Sequence, residues 1–189
     1  MFLVTAPPPT LIADNLWLFQ GVAEDGVRRH LARLEEPSPF DGSRLRFSQA
    51  RRSGVQVVAV DWDMPVGVDL ELVTDGPPAE SVVREFFSIT EGAWLDSLTP
   101  RGRAEGFLRL WTAKEALLKA SGERIEELGE PDFADVLQRS TALAWSPVTL
   151  AFRQQRWRIA WYPTQSVLGP TIIARASGLS RLFGEKRAL

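Results

Sequence analysis

The sequence predicts an α+β fold of two unequal halves, and three observations carry that prediction. Two apolar runs, GVQVVAVDWD (54–63) and PVGVDLELV (65–73), meet at an Asp-Trp-Asp-Met-Pro turn and read as the two arms of a β-hairpin. Three helical segments follow close together: AESVVREFF (79–87), TEGAWLDSL (90–98) and GRAEGFLRLWTAKEALLKAS (102–121). The last third then alternates apolar and polar residues at period two, as half-buried antiparallel strands do. Strands and helices are segregated along the chain, which is the α+β arrangement.

Taken in order, NLWLFQGV (15–22) has the aromatic and aliphatic content of a strand. GVRRHLARLEE (26–36) reads as a short helix stopped by PSPFDG, and RLRFSQA (44–50) as a brief strand. The hairpin and the three helices come next, with Gly122 placed to end the long helix as a C-terminal cap. FADVLQR (133–139), VTLAFRQQ (148–155), WRIAWYPT (157–164) and TIIARAS (171–177) are the period-two strands. LSRLFGEKRAL (179–189) is expected to be a frayed helix or disordered. The two halves divide at 63/64, giving a small N-terminal α+β half (1–63) and a larger C-terminal one (64–189).

Composition narrows the chemistry. With 44% apolar residues in 189, the chain can bury one large core or two small lobes. A net charge of −2 gives no bulk electrostatic reason for a nucleic-acid or membrane partner. Cysteine is absent and His30 is the single histidine, so thiol nucleophiles, thiolate zinc sites and a Ser-His-Asp triad are set aside. MFLVTAPPPTL has no basic region and too short an apolar run for a signal peptide or membrane span, so a cytoplasmic location is the expectation. What remains is chemistry on carboxylates, hydroxyls, Lys and Arg, with a hard metal ion.

Two stretches stand out. In PVGVDLELV, Val66, Val68, Leu70 and Leu72 point to one face of a strand and Gly67, Asp69 and Glu71 to the other. The two carboxylates then stand roughly 6–7 Å apart along the strand. At an effective dielectric near 20 their repulsion is about 2–3 kcal/mol, so a sheltered pair wants a cation. Gly67 leaves that face open to the approach of something large. Taken alone, two acids two residues apart are more often a solvent-facing strand edge.

The second stretch is FLRLWTAKEALLKASG (107–122). The chain holds 19 arginines but three lysines, Lys114, Lys119 and Lys186, and two of those flank Glu115 here. On a helix Trp111, Glu115 and Lys119 form one stripe with Lys114 beside it, while Phe107, Leu110, Leu117 and Leu118 face the core. A surface Glu–Lys pair at i,i+4, worth about 0.3–0.5 kcal/mol, would accept arginine as readily. A compact ammonium suits a phosphate oxygen as a point charge, whereas arginine imposes a flat fork. Phosphate chemistry beside a metal is therefore the leading candidate.

Together, Gly67-Val-Asp69-Leu-Glu71 and Trp111-Thr-Ala-Lys114-Glu115-Ala-Leu-Leu-Lys119 resemble the signature of the 4'-phosphopantetheinyl transferases, in particular the longer, surfactin-synthetase-type members. Asp69 and Glu115 are 46 positions apart, and VVREFFSITEGAWL looks like the family's R-x-F-F-x-x-x-E segment. The resemblance runs from about 44 to 122. It implies a pseudo-dimer of two α+β halves, here with the first half shortened, and a site at their seam. It implies that Asp69, Glu71 and Glu115 hold Mg²⁺, an oxygen-only set suited to that ion. Lys114 and Lys119 would bind the phosphates of coenzyme A, the co-substrate, and Glu91 would help deprotonate the attacking serine. Ser88-Ile-Thr-Glu91 is also a helix capping box, which offers Glu91 a structural role instead.

The implied activity is transfer of 4'-phosphopantetheine to a serine of an apo acyl or peptidyl carrier protein of polyketide, peptide or fatty-acid synthesis. The alternative is a noncatalytic relative that binds coenzyme A or a carrier domain. Where longer relatives carry asparagine-x-serine-histidine against the nucleotide, this chain reads Arg46-Phe-Ser48-Gln49-Ala50, so Ser48, Gln49 and Arg46 are the expected contacts. Arg51 or Arg52 could supply the missing charge in place of Arg46. Arg28, with Arg29 and Arg33, is a further candidate on the N-terminal helix. Arg101, Arg103 and Arg109 could offer an acidic carrier a basic patch, or form a solvated helix face.

Overall fold

The computed structural model describes residues 10–13, 16–20, 26, 29, 46–61, 64–73, 79–133, 136, 146–166 and 169–179. Two four-stranded antiparallel sheets are seen among them. One joins β1 (Thr10–Ala13), β2 (Leu16–Gln20), β3 (Arg46–Arg52) and β4 (Val55–Asp61) in the order β1-β2-β4-β3. The other joins β5 (Val66–Leu72), β6 (Val148–Phe152), β7 (Gln155–Ser166) and β8 (Gly169–Gly178) in the order β5-β8-β7-β6. Between β5 and β6 run α1 (Glu80–Phe86), α2 (Ile89–Asp96) and α3 (Pro100–Ser121). No helix among the described residues is long and apolar enough to cross a membrane.

The expected hairpin between 54–63 and 65–73 does not form. β4 lies between β2 and β3, so both of its hydrogen-bonding edges are already occupied. β5 instead pairs along its whole length with β8, Val66 opposite Ser177 through Leu72 opposite Thr171. The chain changes sheets after Asp61, whose carboxylate accepts the Met64 N–H at 3.0 Å. A turn signal between two apolar runs fixes a change of direction; only the free edges decide which strands pair.

Other boundaries differ in instructive ways. The run 148–155 breaks at Arg153 and Gln154, both in the left-handed region at φ 50° and 61°, which makes a tight two-residue turn between β6 and β7. β1 was not anticipated from the sequence. Of the helix expected over 26–36, Gly26 and Arg29 are among the described residues, and both are helical. The strand expected over 133–139 and the tail 179–189 lie mostly outside them. At Val136 the N–H donates to the Phe133 carbonyl at 3.1 Å, a turn rather than an extended pairing.

β5 is the hinge of the packing. Val66, Val68 and Leu70 join Leu16, Leu18, Val57 and Ala59 in a core between the two sheets. On the opposite face, Ala113, Ala116 and Leu117 of α3 pack with Ile159, Ile172 and Ala174. A fully buried leucine such as Leu110 or Leu117 contributes about 1.5–3 kcal/mol. α3 starts cleanly: Thr99 Oγ1 accepts the Gly102 N–H at 3.2 Å and Pro100 occupies the first turn. It ends at Gly122, φ 77°, where glycine adopts the left-handed cap without a Cβ penalty.

What approaches the open face at Gly67 is α3 itself. A Cβ there would collide with the Ala116 carbonyl oxygen and the Ala120 backbone nitrogen, both rigid groups. This close approach sets Asp69 and Glu71 beside the helix carrying Glu115 and Lys119. Gly67→Ala is expected to cost about 3 kcal/mol, the upper end for overpacking, measured as a lower denaturation midpoint.

Candidate active site

Three of the expected site residues meet where β5 faces α3. The Lys119 ammonium lies 2.7 Å from Asp69 Oδ1, donates to the Val68 carbonyl at 3.3 Å, and sits 3.7 Å from Glu115 Oε2. Asp69 is 5% exposed, and its second oxygen, Oδ2, is buried with no hydrogen-bond donor. Burial and then the Asp69 charge push the Glu115 carboxyl up to about 7, with Lys119 acting in the opposite direction. Glu71 is also raised, first by burial, against the pull of Arg52. Its carboxylate leans across to the first sheet, 3.1 Å from Arg52 Nε.

Those raised carboxyls give a signed expectation. The folded protein holds the Glu115 proton more tightly than the unfolded chain does, so its contribution to stability is full below the ordinary carboxyl range. It is lost as pH rises through about 7. Metal-free protein should therefore melt at a lower temperature at pH 8 than at pH 6, and Glu115→Gln should flatten that difference. Thermal melts across this range check both statements.

Among the described residues, no three acids lie close enough together to enclose a metal ion on their own. Asp69 and Glu115 nevertheless fit Mg²⁺: the donors are hard oxygens, both lie around the Lys119 ammonium, and Asp69 Oδ2 is buried with no hydrogen-bond partner. Mg²⁺ is commonly held by one or two carboxylates, with water and substrate phosphate completing the octahedron. Glu71 stands on the same strand face, held off by Arg52.

Glu91 and Lys114 lie elsewhere. Both side chains are 0% exposed and form a 2.8 Å ion pair inside the protein. Lys114 Nζ also donates to the carbonyls of Phe86, Leu128 and Pro131 at 3.2, 3.2 and 2.8 Å. Glu91 accepts the Ser88 N–H at 2.9 Å and the Phe133 N–H at 2.9 Å, and Ser88 Oγ completes the capping box. Burial pulls the Lys114 ammonium below the ordinary lysine range while Glu91 opposes it. In this structure Lys114, expected at a phosphate, is enclosed by four acceptors, and Glu91, expected beside the attacking serine, is buried against it. They tie α2, α3 and the 128–133 segment together, one residue from Glu115.

On β3, Ser48 Oγ accepts the Val68 N–H at 3.1 Å, joining the edges of the two sheets. Gln49 Oε1 accepts from Gln56 Nε2 at 2.9 Å. Arg46 is six residues from Arg52 along the strand, roughly 20 Å away. Arg28 lies outside the described residues. The basic patch does not assemble: Arg109 is 2% exposed and stacks on Trp161 at 5.0 Å, while Arg103 pairs with Glu80 and Asp96. Trp111 belongs to an aromatic cluster with Phe86, Phe87 and Phe107. Of the three arginines offered as alternatives, Arg46, Arg51 and Arg52, it is Arg52 that pairs with Glu71.

The family model for the 4'-phosphopantetheinyl transferase superfamily matches residues 65–168, more than half of the chain. The chain is 34% identical over 115 residues to the 4'-phosphopantetheinyl transferase HetI of Nostoc sp., covering 59% of this chain and 48% of that protein. It is 29% identical over 89 residues to the 4'-phosphopantetheinyl transferase gsp of Aneurinibacillus migulanus, 47% of this chain and 36% of that one. With the 4'-phosphopantetheinyl transferase of Bacillus subtilis it shares 31% over 71 residues, 38% and 31% of the two chains. The chain thus spans about half the length, or less, of the curated relatives it matches. β5 and α3, which bring Asp69, Glu115 and Lys119 together, both fall within the matched segment, and the chain belongs to the 4'-phosphopantetheinyl transferase superfamily.

Proposed function

We propose that this chain transfers 4'-phosphopantetheine from coenzyme A to a serine hydroxyl of an apo acyl or peptidyl carrier protein, with Mg²⁺, releasing 3',5'-ADP. The observation that carries this reading is the convergence of Asp69, Glu115 and Lys119 where β5 faces α3. Membership of the superfamily and the names of the matched relatives support it. The two halves, 1–63 and 64–189, form on this reading a pseudo-dimer with the site at its seam.

Asp69 and Glu115, assisted by Glu71, would hold the metal. Mg²⁺ held there would supply Lewis-acid charge to the pyrophosphate. Lys119, 35% exposed at its side chain, can turn from Asp69 to a phosphate oxygen. It presents a point charge to the equatorial oxygens of the group in transit. The serine oxygen bonds to the β-phosphorus, the bridging oxygen departs with 3',5'-ADP, and one proton is released. Most of the protein's work would be positioning and neutralisation.

The test is direct. Protein incubated with coenzyme A, Mg²⁺ and an apo carrier protein should add the phosphopantetheine mass to the carrier. If coenzyme A binds but several carriers stay unmodified, the noncatalytic reading replaces this one.

A further inference from the structure

The engagement of Glu71 is the feature the transferase reading leaves unexplained. Its carboxylate stands on the same strand face as Asp69 yet is drawn away to Arg52, on the other sheet. We propose that Arg52 is the first half's phosphate-binding cation, paired with Glu71 and passed to the diphosphate of coenzyme A when a divalent ion engages that carboxylate. This rests on the proposed transferase function and extends it to a residue outside the signature motifs.

The geometry supports a transferable contact. The Arg52 side chain is 57% exposed and that of Glu71 15%, so the arginine is the partner able to leave. Arg52 ends β3 immediately before the Ser53–Gly54 turn, whose φ angles of 46° and 79° both lie in the left-handed region. A tight turn between paired strands fixes where the stem begins while leaving the guanidinium free to swing. The pair is solvent-accessible on one side and therefore weak, so exchange carries little penalty. Arginine's five N–H donors match a diphosphate in a fork, complementing the point charge of Lys119 across the opening.

Charge explains the order of events. Lys119 and Arg52 are both engaged by carboxylates, Lys119 by Asp69 and Arg52 by Glu71, so neither cation is free for a diphosphate while those pairs hold. A divalent ion held by these carboxylates would add positive charge beside them and would compete with Arg52 for Glu71. The arginine is then released at the moment an anion becomes welcome.

Arg52→Gln distinguishes this device from a simple clip between sheets. Titration calorimetry with MgCl₂ alone should show tighter binding, by up to about fivefold, because the competitor for Glu71 is gone. Coenzyme A titrated at saturating Mg²⁺ should bind roughly tenfold more weakly, for loss of a charge-assisted contact. Arg51→Gln, which removes the same charge from the other face of β3, should produce neither shift. Unchanged constants for Arg52→Gln, or a lowered melting temperature alone, would overturn the proposal. Should Arg52→Gln not fold, Arg52→Lys is to be titrated in the same way: smaller shifts in the same two directions support the proposal and no shift overturns it. Both shifts in a protein that never modifies a carrier would retire the transfer reaction while leaving the role of Arg52 standing.

Discussion

Lys114→Met is expected to lower the unfolding free energy by about 3–5 kcal/mol, since it strands the Glu91 carboxylate inside the protein without its counter-ion. Against a typical domain stability of about 5–15 kcal/mol, that is a loss large enough to leave part of the protein unfolded. Three carbonyl acceptors, on Phe86, Leu128 and Pro131, lose their donor at the same time. Guanidinium denaturation followed by circular dichroism measures the change. Adding Glu91→Gln to that background should recover part of the loss, because the buried charge disappears with it, and a double-mutant cycle reads out the coupling. Were Lys114 a phosphate ligand, its removal would instead spare the midpoint and weaken coenzyme A binding, and that result would refute the buried-clip assignment.

Glu115→Gln is expected to depress transfer by roughly 100- to 1,000-fold while making the metal-free protein more stable. Both effects have one cause. The folded protein raises the Glu115 carboxyl to about 7 through burial and the Asp69 charge, so keeping it ionised works against the fold. Replacing it with a neutral isostere removes that penalty together with a carboxylate of the proposed metal site. Opposed changes in activity and stability are characteristic of groups held for function. Intact-mass assays of the carrier and melting temperatures without metal give the two readings. Full activity in this variant would remove Glu115 from the metal site.

How much of this was legible beforehand depends on the range of the forces involved. The period-two pattern of PVGVDLELV assigned the faces of β5, and the side chains sort largely as it requires: Val66, Val68 and Leu70 inward between the sheets, Asp69 to Lys119 of α3, with the Glu71 carboxylate drawn across to Arg52. Helical spacing set Glu115 and Lys119 on one stripe. The capping box at Ser88 and the glycine cap at Gly122 were likewise readable, because each depends on residues within one turn.

Pairing and depth were not readable. Nothing in 54–73 says that β4 has no free edge, and so the local turn signal suggested a hairpin that the β5–β8 pairing displaces. Lys114 and Lys119 are one type of residue on one helix, five positions apart. One is enclosed by Glu91 and three carbonyls and the other opens to solvent, a difference set by segments far away in sequence. That Arg52 pairs with Glu71 was set in the same way, by the place of the β3 edge beside β5. Local patterning thus determined which residues could do chemistry and which face each occupies. The tertiary packing alone determined which charges meet and which are desolvated, because Coulomb energies and burial depend on distances through space rather than along the chain.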